Sequence, residues 1–170
     1  MSYTTDRQPQ GLLNDTGTLL REGMIAEIVA INDYTRFISA TDNKEVKDLF
    51  HHIREEEKHH YMEFLDALRS IDEEECKLAK EFSEHPPISE RDKYKDESHM
   101  KSSKNGLLTD IRDAIKGELE AIVLYEDLIS HLRDETLIEL IRHITKEEKE
   151  HTEELTKALT ILDKDKYESI

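Results

Sequence analysis

The feature that most constrains this chain is an internal repeat. Residues 14–72 align without a gap on residues 105–163, 91 positions later, and about 20 of these 59 positions are identical. Self-similarity at this level indicates that one supersecondary unit occurs twice. We therefore predict two copies of one structural unit, related by a pseudo-two-fold axis.

Each copy has the periodicity of two amphipathic helices. Apolar residues recur at alternating steps of three and four, which is the spacing of one helix face. The pattern predicts helices at about 16–40, 43–82, 108–131 and 135–163, so that each copy is a helical hairpin. Asp42 and Glu45 predict a capping box at the start of the second helix. The sequence His85-Pro86-Pro87 predicts a stop after it.

The segments outside these helices are polar. Residues 1–15 are predicted to be a flexible N-terminus, and residues 164–170 form a tail with no readable pattern. Residues 83–105 have no apolar period, and about 20 residues can span about 60 Å. We predict that they are a crossover along the length of a four-helix bundle, within one all-α domain over residues 1–170.

Composition excludes several classes of protein. The net charge of −16 argues against nucleic acid as a partner, because a nucleic-acid-binding surface is basic. No run of about 18 apolar residues predicts a membrane span, and the first residues do not have the pattern of a secretory signal. The single cysteine, Cys76, excludes an internal disulfide and a cysteine-based metal site. These features predict a cytoplasmic protein.

Three polar residues interrupt the apolar seams of each copy at matching heights. In each case one Glu lies in the first helix of the hairpin and a Glu-x-x-His motif lies in the second. Residues three apart lie on one face of a helix, so this Glu and His can bind one metal ion together. The six residues are Glu27, Glu57, His60, Glu118, Glu148 and His151.

Buried carboxylates without partners cost several kcal/mol, and four of them facing one another would also repel. Two divalent cations would neutralise four carboxylates, while the imidazoles bind as neutral ligands. The sequence therefore predicts a dinuclear metal site in the bundle, of a kind that suits Fe(II) or Mn(II). The alternative is a plain helical bundle with salt bridges. A Glu-x-x-His pair repeated in register, with a seam Glu on each partner helix, argues against it.

Residues next to the six have less certain roles. Tyr34 and Tyr125 lie on the seam two turns after Glu27 and Glu118, and each could donate its hydroxyl to a ligand carboxylate or simply pack in the core. Glu56 and Glu147 lie at the edge of the seam and could be extra ligands, carboxylates on an access path or solvated side chains, of which the last is favoured. His52 and His143 are candidates for an outer-shell role. His59 is placed outside the site.

With these motifs in view, the chain resembles the ferritin-like di-iron carboxylate superfamily, and within it the rubrerythrin and erythrin branch. The motifs are Glu27-x-x-Ala30-Ile31-x-x-Tyr34 and Glu56-Glu57-Lys58-x-His60, with their repeats Glu118-x-x-Ala121-Ile122-x-x-Tyr125 and Glu147-Glu148-Lys149-x-His151. The resemblance covers about residues 16–163. It implies a ferritin-like four-helix bundle, a non-haem di-iron site, oxidation of Fe(II) by O2 or H2O2, and a homodimer or larger assembly.

Two departures from rubrerythrins shape this expectation. Rubrerythrins carry a rubredoxin domain with four cysteines, whereas this chain has only Cys76. The reductant is therefore expected to be an external electron donor, such as a separate rubredoxin-like protein. Rubrerythrins also place an additional Glu one turn after the ligand of the third helix, where this chain has Ala121. The resemblance then favours a symmetric site like those of bacterioferritins.

The sequence therefore favours a di-iron oxidoreductase of the ferroxidase or peroxidase type. Its cofactor would be two Fe ions, with Glu57 and Glu148 bridging, Glu27 and Glu118 terminal, and one histidine completing each ion. Two alternatives stay open. One is a dimanganese catalase-like enzyme, and the other is an iron-storage or metal-binding protein, or shell cargo, with little turnover.

Overall fold

The described chain is a helical bundle made of two hairpins. The structure is a computed structural model that describes residues 15–83, 104–165 and 167. Its helices are α1 (Thr16–Ala40), α2 (Lys44–Ile71), α3 (Glu73–Ser83), α4 (Lys104–His131) and α5 (Glu135–Leu162). The two hairpins are α1 with α2 and α4 with α5, and they pack on each other through α1 with α4 and α2 with α5. The prediction of an all-α bundle of two repeated hairpins is confirmed.

The apolar core consists of two clusters at opposite ends of the bundle. One cluster joins the beginnings of α1 and α5 to the ends of α2 and α4. The other joins the ends of α1 and α5 to the beginnings of α2 and α4. It follows that α2 ends at one end of the bundle and α4 begins at the other. The predicted crossover over 83–105 lies outside the described residues, except at its margins.

The predicted seams form the centre of this core. In α2 every residue of the predicted seam is buried except Ile71, which is 45% exposed at the end of the helix. The seam residues of α2 are Val46, Phe50, Ile53, Glu57, His60, Phe64, Ala67 and Ile71. The core is also wider than the seams, because neighbouring positions such as Phe37, Leu68 and Leu128 are buried as well. A globular bundle buries a broader stripe than a strict three-and-four seam, which accounts for the difference.

The prediction that the second helix continues to about residue 82 is wrong. Helix α2 ends at Ile71, and α3 begins after Asp72. The Asp72 carboxylate accepts a hydrogen bond from the backbone N–H of Glu75 and pairs with Arg21 at 2.8 Å. The repeat indicates this helix end, because Asp163, the equivalent of Asp72 91 residues later, ends α5 and pairs with Arg112 at 2.5 Å. In each hairpin this ion pair joins the start of one helix to the end of the next.

The predicted capping box at the start of α2 is also wrong. Asn43, not Asp42, is the N-cap, and its side chain accepts a hydrogen bond from the N–H of Val46. Asp134, the repeat equivalent of Asn43, caps α5 in the same way. A short amide or carboxylate oxygen one residue before the helix can reach the free N–H groups of the first turn. Asp15 caps α1, whereas residues 1–14 and 168–170 lie outside the description.

The outward faces of the long helices are charged. Pairs four residues apart, such as Lys116 with Glu120 and Lys146 with Glu150, lie 2.7 Å from each other. Exposed pairs of this kind stabilise a helix only slightly, because water and salt screen the attraction. Within residues 15–83 and 104–165, no helix is long and apolar enough to cross a lipid bilayer.

Candidate metal centre

Six polar side chains converge between the two apolar clusters. Helices α1 and α4 each contribute one Glu, and α2 and α5 each contribute a Glu and a His. None of the six is more than 2% exposed. They are the residues that the repeat singled out: Glu27, Glu57, His60, Glu118, Glu148 and His151.

Two of the carboxylates lie between the two histidines. Glu57 places one oxygen 3.5 Å from Nδ1 of His60 and the other 3.4 Å from Nδ1 of His151. Glu148 places its two oxygens 3.2 Å from the same two nitrogens. Each of these carboxylates therefore presents one oxygen to each half of the site, which is the arrangement of a bridging ligand.

The ligand atoms form two overlapping groups, and within each group they lie no more than 4.8 Å apart. Glu57 and Glu148 belong to both groups. Glu27 and His60 complete one group, and Glu118 and His151 complete the other. Several atoms at the centre, namely Oε1 of Glu57, Oε1 of Glu148 and Nδ1 of His60, are buried and make no hydrogen bond to any described residue.

The charges in the metal-free site are shared between carboxylates and imidazoles. Burial alone would raise the pKa of Glu57, but its contacts with the imidazoles of His151 and His60 lower that pKa to about 2. Burial would likewise lower the histidine pKa values, but Glu148 and Glu57 raise the pKa of His60 to about 12 and that of His151 to about 11. In the metal-free site the protons on these imidazoles supply the positive charge that balances the carboxylates.

The outer two carboxyl groups have the opposite tendency. Burial, followed by repulsion from Glu57 and Glu148, raises the pKa of Glu27 and Glu118 well above the usual value. In the absence of a cation these two groups favour the protonated form. Metal binding at this site would therefore displace protons from both carboxyl and imidazole groups.

Two buried tyrosines bond to these outer carboxyl groups across the bundle. The hydroxyl of Tyr34 in α1 donates to Glu118 in α4, and the hydroxyl of Tyr125 in α4 donates to Glu27 in α1. Each hairpin therefore orients a carboxyl group that belongs to the other. Burial raises the pKa of both tyrosines well above the ordinary value, so that each hydroxyl remains a donor.

Glu56 and Glu147 contact the outer nitrogen of each histidine. Nε2 of His151 lies 2.8 Å from Glu56, and Nε2 of His60 lies 2.9 Å from Glu147. These bonds also cross between the hairpins. The sequence favours a solvated side chain for both residues, whereas the structure places each glutamate against the histidine of the other hairpin, because α2 packs against α5. That both copies of the repeat have Glu at this position is the sequence feature that could have indicated the contact.

A second histidine lies beyond each of these glutamates. His52 is 3.4 Å from Glu56, and His143 is 3.6 Å from Glu147. Both histidines are more than half exposed, so each chain of contacts runs from the buried site to the surface between α2 and α5. His59 is exposed.

Sequence comparison finds one family model and one curated relative, each matching about a third of the chain. Residues 111–169 match the family model described as Rubrerythrin. The chain is 37% identical over 62 residues to the encapsulin nanocompartment cargo protein EncC of Myxococcus xanthus. That match covers 36% of this chain and 48% of the relative, so the chain aligns with about half the length of this relative.

Structural comparison finds neighbours for the fold as a whole. A hypothetical protein from Pyrococcus furiosus matches with a TM-score of 0.66 at 20% identity, over 87% of this chain and 90% of that protein. KatB, a manganese catalase from Anabaena, matches with a TM-score of 0.64 at 19% identity, over 100% of this chain and 86% of the catalase. At these identities the likeness shows the fold. The predicted resemblance is confirmed: the chain has a ferritin-like fold, and its second hairpin matches the rubrerythrin family.

Proposed function

We propose that the protein is a non-haem di-iron oxidoreductase that oxidises Fe(II) with O2 or H2O2. One observation carries this proposal: Glu57 and Glu148 each present one oxygen to each of two buried histidines. A single ion beside one histidine would leave the oxygens that face the other histidine without a cation. Two ions side by side would use both oxygens of each carboxylate, which favours a dinuclear centre.

The donor set fits this metal centre. Four carboxylates balance the charge of two divalent cations, and one imidazole is available for each ion. The buried atoms without hydrogen-bond partners, on Glu57, Glu148 and His60, would gain a cation as a partner. In the proposal Glu57 and Glu148 would each hold both ions, Glu27 and Glu118 would each hold one, and His60 and His151 would each bind one ion through Nδ1.

A pair of irons held there would supply two electrons, one from each ion. One H2O2 accepts two electrons and two protons and yields two waters, and one O2 yields one H2O2 by the same count. In the metal-free state Glu27 and Glu118 hold protons, because burial raises their pKa values, and metal binding would release these protons. Tyr34 and Tyr125 keep their hydroxyl protons and orient the terminal carboxylates. The proposal includes an external electron donor, such as a separate rubredoxin-like protein, that reduces the irons again.

An anaerobic titration of the metal-free protein with Fe(II) tests the stoichiometry. We expect saturation at two irons per chain, followed by a rapid ferric absorbance after a stopped-flow pulse of O2 or of H2O2. The faster oxidant separates a ferroxidase from a peroxidase. Saturation far from two irons, or no oxidation by either reagent, would contradict the proposal.

A dimanganese centre is the second candidate, because the same donor set suits Mn(II) and the fold is shared with a manganese catalase. Manganese-loaded protein would then disproportionate H2O2 without any added reductant. The iron-loaded protein serves as the control, because a di-iron peroxidase consumes H2O2 only in proportion to the electrons supplied.

A role as cargo of a protein shell is the third candidate, and the 37% sequence identity with an encapsulin cargo protein over 62 residues supports it. The proposal then includes a cytoplasmic location and assembly of at least two copies. Co-expression with an encapsulin shell, followed by isolation of the shells, tests for packaging. Aerobic iron loading gives the second result, because two irons per chain indicate a catalytic centre and many indicate storage.

A further inference from the structure

The groove between α1 and α4 contains a cavity that reaches the candidate metal centre. Its volume is about 220 Å3, and Glu27, Glu57 and Glu118 form its inner wall. Some of the remaining lining residues are related by the repeat, such as Ala26 with Gly117 and Ala30 with Ala121, whereas others, such as Phe37 and Ala114, have no counterpart in the lining. The cavity therefore reaches a carboxylate of each half of the site, Glu27 and Glu118, although its lining is not fully symmetric.

Small side chains create this space. Ala30 and Ala121 lie one turn after Glu27 and Glu118, where a larger residue would fill the groove. A Cβ atom added to Gly117 would meet no atom within 4 Å. By contrast, a Cβ added to Gly23 would lie 2.5 Å from the ring of Phe64, where two helices are in close contact. The space between α1 and α4 is therefore a local feature and not a general looseness of the bundle.

The opposite groove, between α2 and α5, is bridged at the same height. The contacts of Glu56 with His151 and of Glu147 with His60 cross it at 2.8 and 2.9 Å. The groove is also lined by ionisable groups. The two flanks of the centre thus differ, since glutamate–histidine contacts bridge one, whereas the other contains a cavity whose walls include the small residues Ala30, Gly117 and Ala121 between the site carboxylates and the charged rim.

The α1–α4 cavity suits a small neutral molecule. The methyl groups of Ala30 and Ala121 and the side chain of Leu124 offer no ligand to a hydrated cation. The charged residues at the rim include two ion pairs, because Arg36 lies 3.3 Å from Asp33 and Lys116 lies 2.7 Å from Glu120, and they also include Asp113. Burying an unpaired charge against methyl groups costs several kcal/mol, whereas O2 or H2O2 carries no charge.

We infer that the α1–α4 cavity is the access route and binding site of the neutral oxidant, with Ala30 and Ala121 as the residues that keep it open. This inference rests on the proposed function for the identity of the oxidant. It goes beyond that function by assigning the side from which the oxidant arrives. It also gives a role to the position where rubrerythrins carry an additional Glu and this chain carries Ala121.

The first test uses metal-free protein, so it does not depend on iron binding. Dissolved O2 is paramagnetic and broadens the NMR signals of methyl groups that it can reach. Under O2 pressure we expect strong broadening of the Ala30, Ala121 and Leu124 methyls, and little at the buried methyls of Ile53 and Leu155. Equal broadening of both sets would overturn the inference.

Two blocking variants extend the test. Ala121→Leu and Ala30→Leu each add side-chain volume to the cavity, one from each hairpin, so the failure of one variant to fold leaves the other. We expect broadening of the remaining cavity methyls to disappear in either variant. Thr160→Leu, which adds a similar side chain to the exposed face of α5, is the matched control and should retain the broadening. Unchanged broadening in a folded blocking variant would overturn the inference.

The iron-loaded protein provides the kinetic readout. A blocking variant should bind Fe(II) at the wild-type stoichiometry but oxidise it at least about tenfold more slowly with O2 and with H2O2, which corresponds to about 1.4 kcal/mol in the barrier. A wild-type oxidation rate at wild-type stoichiometry would contradict the assignment. If iron does not bind to the wild-type protein, the proposed function fails, and the O2 broadening still decides whether the cavity admits the oxidant.

Discussion

The two hairpins of this protein are the same at the candidate metal centre and different around it. At the centre, Glu27, Glu57 and His60 of the first hairpin have identical counterparts 91 residues later, and so do the outer contacts made by Tyr34 and Glu56. In the core, Phe37, Phe50 and Phe64 of the first hairpin correspond to Leu128, Ile141 and Leu155 of the second.

This difference separates two kinds of structural requirement. A core position needs only a side chain of suitable volume, and the two hairpins fill the same volume with different pairs of contacting residues. Gly23 lies under the ring of Phe64, whereas their counterparts are Ala114 and Leu155. A metal-binding position needs a particular donor atom at a particular place, for which a side chain of equal volume is no substitute. The core therefore differs between hairpins while the centre does not.

Removal of a bridging carboxylate should have the largest effect, and an equal one in both hairpins. We expect Glu57→Ala and Glu148→Ala each to weaken binding of both metal ions by more than about 100-fold, beyond the 10–100-fold that outer-shell partners typically contribute. Anaerobic Fe(II) titration measures this, with the exposed Glu153→Ala as control. If one variant kept wild-type affinity while the other lost it, the two hairpins would not be equivalent at the centre.

The pH dependence of stability should differ between the metal-free and metal-loaded proteins. The folded metal-free protein holds protons on His60 and His151, whose pKa values are about 12 and about 11, whereas unfolded histidines lose theirs near 6.5. Above pH 6.5 the folded state therefore binds more protons than the unfolded state, so its stability falls as pH rises. The slope is at most about 1.4 kcal/mol per pH unit for each proton.

Denaturant unfolding between pH 7 and pH 9 tests this prediction. Metal binding requires neutral imidazoles, so the loaded protein should lack this decrease. His60→Gln and His151→Gln should each remove part of the slope, which compares the hairpins directly. A metal-free protein whose stability rises over this range would contradict the assignment of protons to the two imidazoles.

Loss of the outer-shell carboxylates should also affect the two hairpins alike. Glu56→Gln and Glu147→Gln keep the size of the side chain but remove the charge that the histidine nitrogen contacts. We expect each variant to lower metal affinity by about 10–100-fold, because such partners orient the ligand. Isothermal titration with Mn(II) measures the affinity, and a change below twofold would show that these contacts do not position the histidines.

A core substitution should affect the hairpins unequally. Gly23→Ala places a methyl group 2.5–2.8 Å from the ring of Phe64, and overpacking of this kind costs about 1–3 kcal/mol. The double variant with Phe64→Leu reproduces the pair found in the second hairpin and should recover most of the loss. Urea unfolding measures both variants. Equal stability of Gly23→Ala and the wild type would mean that α1 and α2 can separate without cost.

The smallest effect is expected at the tyrosines, and it should cross between the hairpins. Tyr34→Phe removes a hydrogen bond from Glu118, which typically contributes about 1 kcal/mol, or about fivefold in metal affinity. A double-mutant cycle should couple Tyr34→Phe to Glu118→Gln and not to Glu27→Gln. Coupling to Glu27 instead would place the hydroxyl in its own hairpin.

Local patterns of the sequence predicted much of this structure. The three-and-four periodicity identified the four long helices, and the prediction for α1 was correct at both ends. The repeat then identified six polar residues in apolar seams, and the structure brings all six together. These inferences succeed because helix faces and repeat equivalence depend only on spacing along the chain. The break at Asp72 was missed because apolar spacing continues past it, although its counterpart Asp163 marked the end.

The contacts between the hairpins were decided only by the tertiary structure. Sequence spacing places Tyr34 near Glu27 and Glu56 near His60, yet the structure pairs Tyr34 with Glu118 and Glu56 with His151. Which partner is reached depends on how one hairpin is rotated and shifted against the other, and no spacing within a hairpin encodes that. The cavity between α1 and α4 has the same origin. The sequence by itself thus determined which residues face the centre, whereas the packing of the two hairpins decided which of them touch and which flank stays open.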